Sequence, residues 1–164
     1  MITAPAIDSA RSRARQHGFS MIEVLVAIIV LALGLLGFAL LQTMSLRYAQ
    51  SANYRTQATN LAYDLLDQMR ANRFQAAWYS GSSGAGFNAG DIIAGDCSRP
   101  VGTVAIADSI ERWQCQVVQL LGESASANVG YNAGVVNVAI SWGDQRWDEE
   151  DPEATTTFEL ITRL

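Results

Sequence analysis

The chain has 164 residues, 49% of them hydrophobic, a formal net charge of -5 and two cysteines. That length allows one domain of modest size beside a membrane segment and leaves no room for two cores. Lysine is absent, His17 is the single histidine and everything after Gly18 is acidic, which argues against a nucleic-acid-binding face and leaves that part without histidine or lysine for base chemistry or metal ligation.

Residues 1–18 are polar and rich in Ala, Ser and Arg, with Arg11, Arg13 and Arg15 set against Asp8 alone. The run that follows, GFSMIEVLVAIIVLALGLLGFALL over residues 18–41, carries one charge, Glu23. About 20 apolar residues cross the hydrocarbon core of a bilayer as a helix, so residues 19–41 are expected to be a transmembrane segment. Arginine before it and excess acid after it put the N-terminus on the cytosolic side and the rest beyond the membrane, by the positive-inside rule. The run is too long for a secretory signal, and Ala49-Gln50-Ser51 behind it is a poor cleavage site. A leader cut ahead of the apolar segment, not after it, is the better reading. A carboxylate at the centre of a membrane helix costs roughly 2.5 to 3.5 kcal/mol, so Glu23 needs either a counter-charge or a position close enough to the surface to reach water.

Gly18-Phe19-Ser20-Met21-Ile22-Glu23-Val24-Leu25-Val26-Ala27 resembles the type IV prepilin motif: a basic leader ending in Gly, then Phe, then Glu as the fifth residue after the cut. The likeness continues in Leu33-Gly34-Leu35-Leu36-Gly37, in Tyr54-Arg55-Thr56-Gln57-Ala58-Thr59-Asn60-Leu61-Ala62-Tyr63-Asp64 and in Arg70-Ala71-Asn72-Arg73, which together resemble the minor pilins called type IV pilus modification protein PilV. It is good up to Arg73 and loose beyond. The resemblance implies an α+β, pilin-like fold, with a long N-terminal helix packed on a small antiparallel sheet and a second short helix. It implies cleavage between Gly18 and Phe19, N-methylation of the new amine on Phe19, and pairing of that amine with Glu23 of an adjacent subunit. Within one helix, Phe19 and Glu23 lie four apart and could also meet. The implied partners are the prepilin peptidase, other minor pilins, the major pilin, an inner-membrane assembly platform and a tip adhesin. The implied location is the bacterial inner membrane, single-pass with a periplasmic C-terminal domain, and then the fibre. Major pilins usually carry a helix-breaking Pro shortly after the membrane start; none lies between Phe19 and Arg73, which puts a major-subunit role in doubt. Gly34 and Gly37 allow close helix approach or local loosening, or reflect how common glycine is in membrane helices.

Residues 42–73 read as the same helix continued. Tyr54, Ala58, Leu61, Leu65 and Met69 form one apolar stripe, widened by Ala62 and Leu66, with Arg47, Arg55, Gln57, Asp64, Gln68 and Arg70 mainly off it. The rest, 74–164, is expected to be a globular ectodomain. Its glycine-rich start, 80–95, reads as a surface loop; it lacks the Gly-Lys-Ser/Thr ending of a phosphate-binding loop. A second helix is expected over 107–121, opened by Asp108 with Glu111 three residues on and stopped by Gly122. Its apolar face is Ile106, Ile110, Trp113, Val117, Leu120 and Leu121. Alternation of Val136, Val138, Ile140 and Trp142, and of Phe158, Leu160, Thr162 and Leu164, predicts an antiparallel hairpin with a long acidic tip. One or two further short strands are expected between Asp91 and Ala105.

Cys97 and Cys115 both fall beyond the membrane, where an oxidising compartment would pair them; the alternative is a buried free thiol at Cys115. A bridge would close a loop worth about 3 kcal/mol on the chain-entropy model. The acidic run 148–153 lacks the glycine and alternating spacing of a calcium loop and reads as a solvated tip. Trp142 and Trp147 beside it are either core edge or contact surface. No nucleophile elbow, metal spacing or phosphate loop is present, so neither an enzyme nor a cofactor is expected. The leading expectation is a minor type IV pilin acting in pilus biogenesis. The alternatives are a type II secretion minor pseudopilin and, in another class, a signal-anchored periplasmic enzyme or binding protein, for which paired carboxylates remain an option.

Overall fold

The computed structural model describes residues 18–81, 84–97, 105–144 and 154–164. The arginine-rich leader with His17, the acidic run 148–153 and Trp147 lie outside the described residues. The chain divides into two compact units, Met1–Met44 and Ser45–Leu164. One helix, α1 (Met21–Ala71), contributes to both. It begins at Met21, with the Ser20 carbonyl accepting from the backbone N–H of Glu23 at 3.0 Å and of Val24 at 3.3 Å. It ends two residues short of Arg73, where Asn72 donates through Nδ2 to the Gln68 carbonyl and to the Tyr79 hydroxyl, both at 3.1 Å. A 3-10 helix, Arg73–Tyr79, then delivers Ala76 and Tyr79 into the core.

In the first unit the described residues are 18–20 and the first part of α1, all of them exposed. The second unit buries the stripe that periodicity marks out: Ala58, Leu61, Ala62, Leu65, Leu66 and Met69, with Tyr54 packed at its edge. The helix α2 (Ile106–Leu121) buries Ile110, Trp113, Cys115, Val117, Val118 and Leu121. Leu120, expected on this face, is exposed, and Val118 takes the place instead. Asp108 is not the first residue of the helix end. It stands in the third helical position and its carboxylate accepts from the Ala105 N–H at 3.4 Å, which moves the start one residue earlier than expected. The buried indole N–H of Trp113 has an acceptor: Nε1 donates to the Leu61 carbonyl of α1 at 2.8 Å, using the lone pair that a helical carbonyl has spare.

The sheet has three antiparallel strands, β1 (Ser126–Asn132), β2 (Val135–Gly143) and β3 (Thr155–Arg163), in the order β1-β2-β3. β2 and β3 are the expected hairpin, in register from Val135↔Arg163 to Gly143↔Thr155. Alternation puts Val136, Val138, Ile140 and Trp142 in the core, so Trp142 is a core residue and not a contact surface. β1 is a correction: the extra strand lies after α2, not between Asp91 and Ala105, where the described residues hold only a 3-10 turn, Ala94–Asp96. β1 joins β2 through Ala133-Gly134, at φ 48° and 83°, the two positive angles of the tight hairpin turn whose twist suits the strands.

The described part of the glycine-rich stretch is mostly exposed loop, as expected, but it also enters the core. Gly84 and Ala85 are buried, and Phe87 pairs with Ala127 through backbone bonds of 2.9 and 3.0 Å, covering that end of the β1 edge. A Cβ on Gly84 would stand 2.5 Å from the Tyr79 carbonyl oxygen, so glycine is required there by the close approach of two backbones.

Cys97 and Cys115 form a disulfide with Cα atoms 5.7 Å apart, tying the stretch after the 3-10 turn to the middle of α2. Two predictions arise from this packing. Trp113→Ala, which opens a cavity between α1 and α2 and removes a buried hydrogen bond, is expected to destabilise the protein by about 3–5 kcal/mol in denaturant unfolding; a cost below about 1 kcal/mol would remove Trp113 from its anchoring role. Denatured without reductant, the protein should show no free thiol, and after reduction two; two thiols in both states would exclude the bridge.

Candidate functional site

Glu23 sits in the first turn of α1, where the free N–H groups of the helix end favour a carboxylate. Phe19, two residues ahead of the helix, is 83% exposed. Phe19, Glu23, Val24, Ala27, Ile28 and Leu31 line one continuous groove along the side of this segment. The structure thus brings Phe19 and Glu23 to the same side, with only apolar side chains after them.

From Val24 to Leu41 the helix is apolar on all sides. Val24, Leu25, Val26, Ile28, Ile29, Val30, Leu31 and Leu33 are each about half exposed or more, and α1 contains a window of mean hydropathy 3.1, long and apolar enough to cross a membrane. A helix apolar all round is stable only where lipid or other helices surround it. Gly34 and Gly37 have open space where a Cβ would stand, so none of the described residues requires glycine there. Glycine in a helix interior costs about 1 kcal/mol relative to alanine. Gly18 is likewise open, with nothing within 4 Å of its Cβ position.

Among the described residues, no three of His, Cys, Asp and Glu are placed to hold a metal ion. Asp91, Asp96, Glu111 and Gln114 line a groove beside the disulfide. Cys97 and Cys115 are joined and take no part in nucleophilic chemistry.

One residue escaped the sequence reading. Asp144, grouped there with the acidic connection, is 5% exposed; its Oδ2 accepts from Ser51 Oγ of α1 at 2.7 Å and from Thr156 Oγ1 of β3 at 3.3 Å. Its own N–H donates to the Ala154 carbonyl at 3.3 Å. Asp144 therefore fastens the ends of β2 and β3 to α1. The signal that could have found it is its place directly after Trp142-Gly143, at the end of a strand whose alternating residues face the core.

No curated protein and no solved structure matches the chain. Residues 13–39 match the family model described as the prokaryotic N-terminal methylation motif, the signal of type IV pilins and pseudopilins, and with the apolar helix and the α+β arrangement this supports a type IV pilin-like protein.

Proposed function

We propose that the chain is a minor type IV pilin of the PilV kind, made as a single-pass inner-membrane precursor, cut between Gly18 and Phe19 by a prepilin peptidase, and built into a pilus fibre. The observation that carries this reading is the coincidence, within the methylation-motif match, of an open Gly18, an exposed Phe19 and Glu23 at the head of an otherwise uncharged helix. Cleavage creates a positive amine on Phe19. Buried among apolar helices, the Glu23 carboxylate is stabilised by that amine of a neighbouring subunit, and the pairing sets the axial register of one helix against the next. Glycine before the cut keeps the backbone accessible to the peptidase.

Work of this kind is assembly, not catalysis. The apolar half of α1 first anchors the precursor and then packs among other helices, while the ectodomain presents its surface to neighbours. The proposed partners are the peptidase, an assembly platform, the major pilin, other minor pilins and a tip adhesin. The absence of proline in α1 favours a minor over a major subunit. A minor pseudopilin of a type II secretion system, built on the same helix, is the second reading, and the same motif match supports it.

Two experiments bear on this. Co-expressed with a prepilin peptidase, the chain should yield a mature N-terminus at Phe19 by mass spectrometry, with one added methyl group; an N-terminus left at Met1, or a cut after Ser51, would overturn the reading. Glu23→Ala should be processed normally yet lose incorporation into shear-released fibres by at least about tenfold, the equivalent of roughly 1.4 kcal/mol in partitioning. Unchanged incorporation would show that the carboxylate is not the pairing element.

A further inference from the structure

β3 is the last strand of the sheet, and among the described residues nothing pairs with its outer edge. The edge formed by β1 differs, since Phe87 pairs with Ala127 there and the 3-10 helix Arg73–Tyr79 packs on the same strand. Two backbone bonds at the ends of β3 fix which groups it offers. The Ala154 carbonyl accepts from Asp144, and the Leu164 N–H donates to the Gly134 carbonyl at 2.9 Å, so the even-numbered residues direct their backbone groups at β2. In an antiparallel ladder the alternate residues then direct theirs away. The outward set is Thr155, Thr157, Glu159, Ile161 and Arg163, each with an N–H and a C=O to offer. Edges of this length are usually blunted by proline, lysine or a bulge, whereas β3 has no proline, no lysine and an unbroken register with β2.

The core is also incomplete at this edge. On β2 the inward side chains Val136, Val138, Ile140 and Trp142 are fully buried, whereas Phe158, Leu160 and Leu164 beside them stay only partly buried. A further strand on this edge would cover them with its own inward side chains, which must then be apolar. The solvent face of the same edge carries charge. Glu159 has one oxygen held by Asn137 Nδ2 at 2.9 Å and the other left for a further donor; Arg163 has no ion-pair partner among the described residues; and Ile161 between them is 61% exposed. On an added antiparallel strand, Glu159 calls for a base opposite it, Arg163 for an acid and Ile161 for an aliphatic residue.

A second copy does not fit these requirements. Set against β3 by a two-fold axis it reverses α1, which continues into the apolar segment, so copies anchored in one membrane do not meet in this way. A copy in the same orientation would offer its β1, and that edge is engaged by its own Phe87. We propose that the outer edge of β3 takes up an extended segment of a different protein, added antiparallel, with apolar residues toward the core and, at the alternate positions, the order acid, aliphatic, base opposite Arg163, Ile161 and Glu159. Roughly ten backbone hydrogen bonds give such an addition its strength, and the alternating side chains give it specificity. The inference uses the membrane anchoring of α1, but neither cleavage after Gly18 nor fibre assembly.

The test uses the full, uncleaved chain in phosphatidylcholine vesicles and a dye-labelled peptide matched in length to β3, Glu-Val-Val-Ile-Arg-Val-Thr-Val-Thr, blocked at both ends. A second peptide exchanges its Glu and Arg; having the same composition, it partitions equally into lipid. By fluorescence anisotropy the first peptide should bind at least about tenfold more tightly than the second. On the chain carrying both Glu159→Arg and Arg163→Glu the preference should invert. Ile161→Pro removes one outward N–H and leaves every bond to β2 in place, and should weaken binding of the first peptide by at least about tenfold. Protection of the native Cys97–Cys115 bridge reports that each variant has folded; if the proline variant unfolds, the charge exchange alone decides. Equal binding of the two peptides, a preference unchanged by the double reversal, full binding to folded Ile161→Pro, or binding no greater than to protein-free vesicles would each overturn the proposal.

Discussion

The ectodomain depends on one stripe, Ala58 to Met69 on α1, and on what that stripe requires of the rest of the chain. A helix that buries a single face needs a surface of matching shape, and here α2 and the inner face of the sheet supply it together. The Trp113 indole fixes the contact in direction as well as area, because its N–H has one acceptor, the Leu61 carbonyl. Asp144 holds the other end, where Ser51 of α1 and Thr156 of β3 converge on one carboxylate. Between these two polar contacts the interface is apolar, and burial of side chains such as Leu65, Leu66, Ile140 and Trp142, each worth about 1.5–3 kcal/mol on transfer, supplies most of the attraction.

The same helix changes character along its length. Before Met44 it is apolar on every side, and after Ser45 on one side only. A chain with this division needs two environments, and the carboxylate of Glu23 restricts which apolar environment the first part can accept. Lipid alone satisfies the aliphatic side chains and leaves the acid costly, whereas an assembly that brings a positive charge satisfies both.

What could be read in advance was what has a period or a linear motif. The stripe of α1 repeats every three or four residues over several turns, and β2 alternates without interruption, so both were legible. The methylation motif that matches residues 13–39 was legible because its signature lies within six consecutive residues, Gly18 to Glu23. β1 was not: its inward residues are Ala127, Val129 and Tyr131, its centre is Gly130, and its turn is Ala-Gly, which lacks the Asn or Asp that normally announces two positive φ angles. The start of α2 was misplaced because Asp108 suits either the capping position or the first turn. The glycines before Gly90 resembled a linker, yet Gly84 is buried by a backbone contact with Tyr79, which is a tertiary relation that local composition does not encode. Asp144 was hidden for the same reason, since its partners Ser51 and Thr156 lie far from it in sequence.

The wide sequence separation of these contacts has a kinetic consequence. Leu61 and Trp113 are 52 residues apart, Ser51 and Asp144 are 93, and Arg73 donates to the carbonyl of Leu164 across 91. Emerging from the ribosome, the stripe of α1 has only Ala76, Tyr79 and Ala85 behind it before α2 is made, and the cover is complete only when β2 and β3 follow. The ectodomain therefore closes late, around a helix whose apolar face stays largely bare until the last strands arrive.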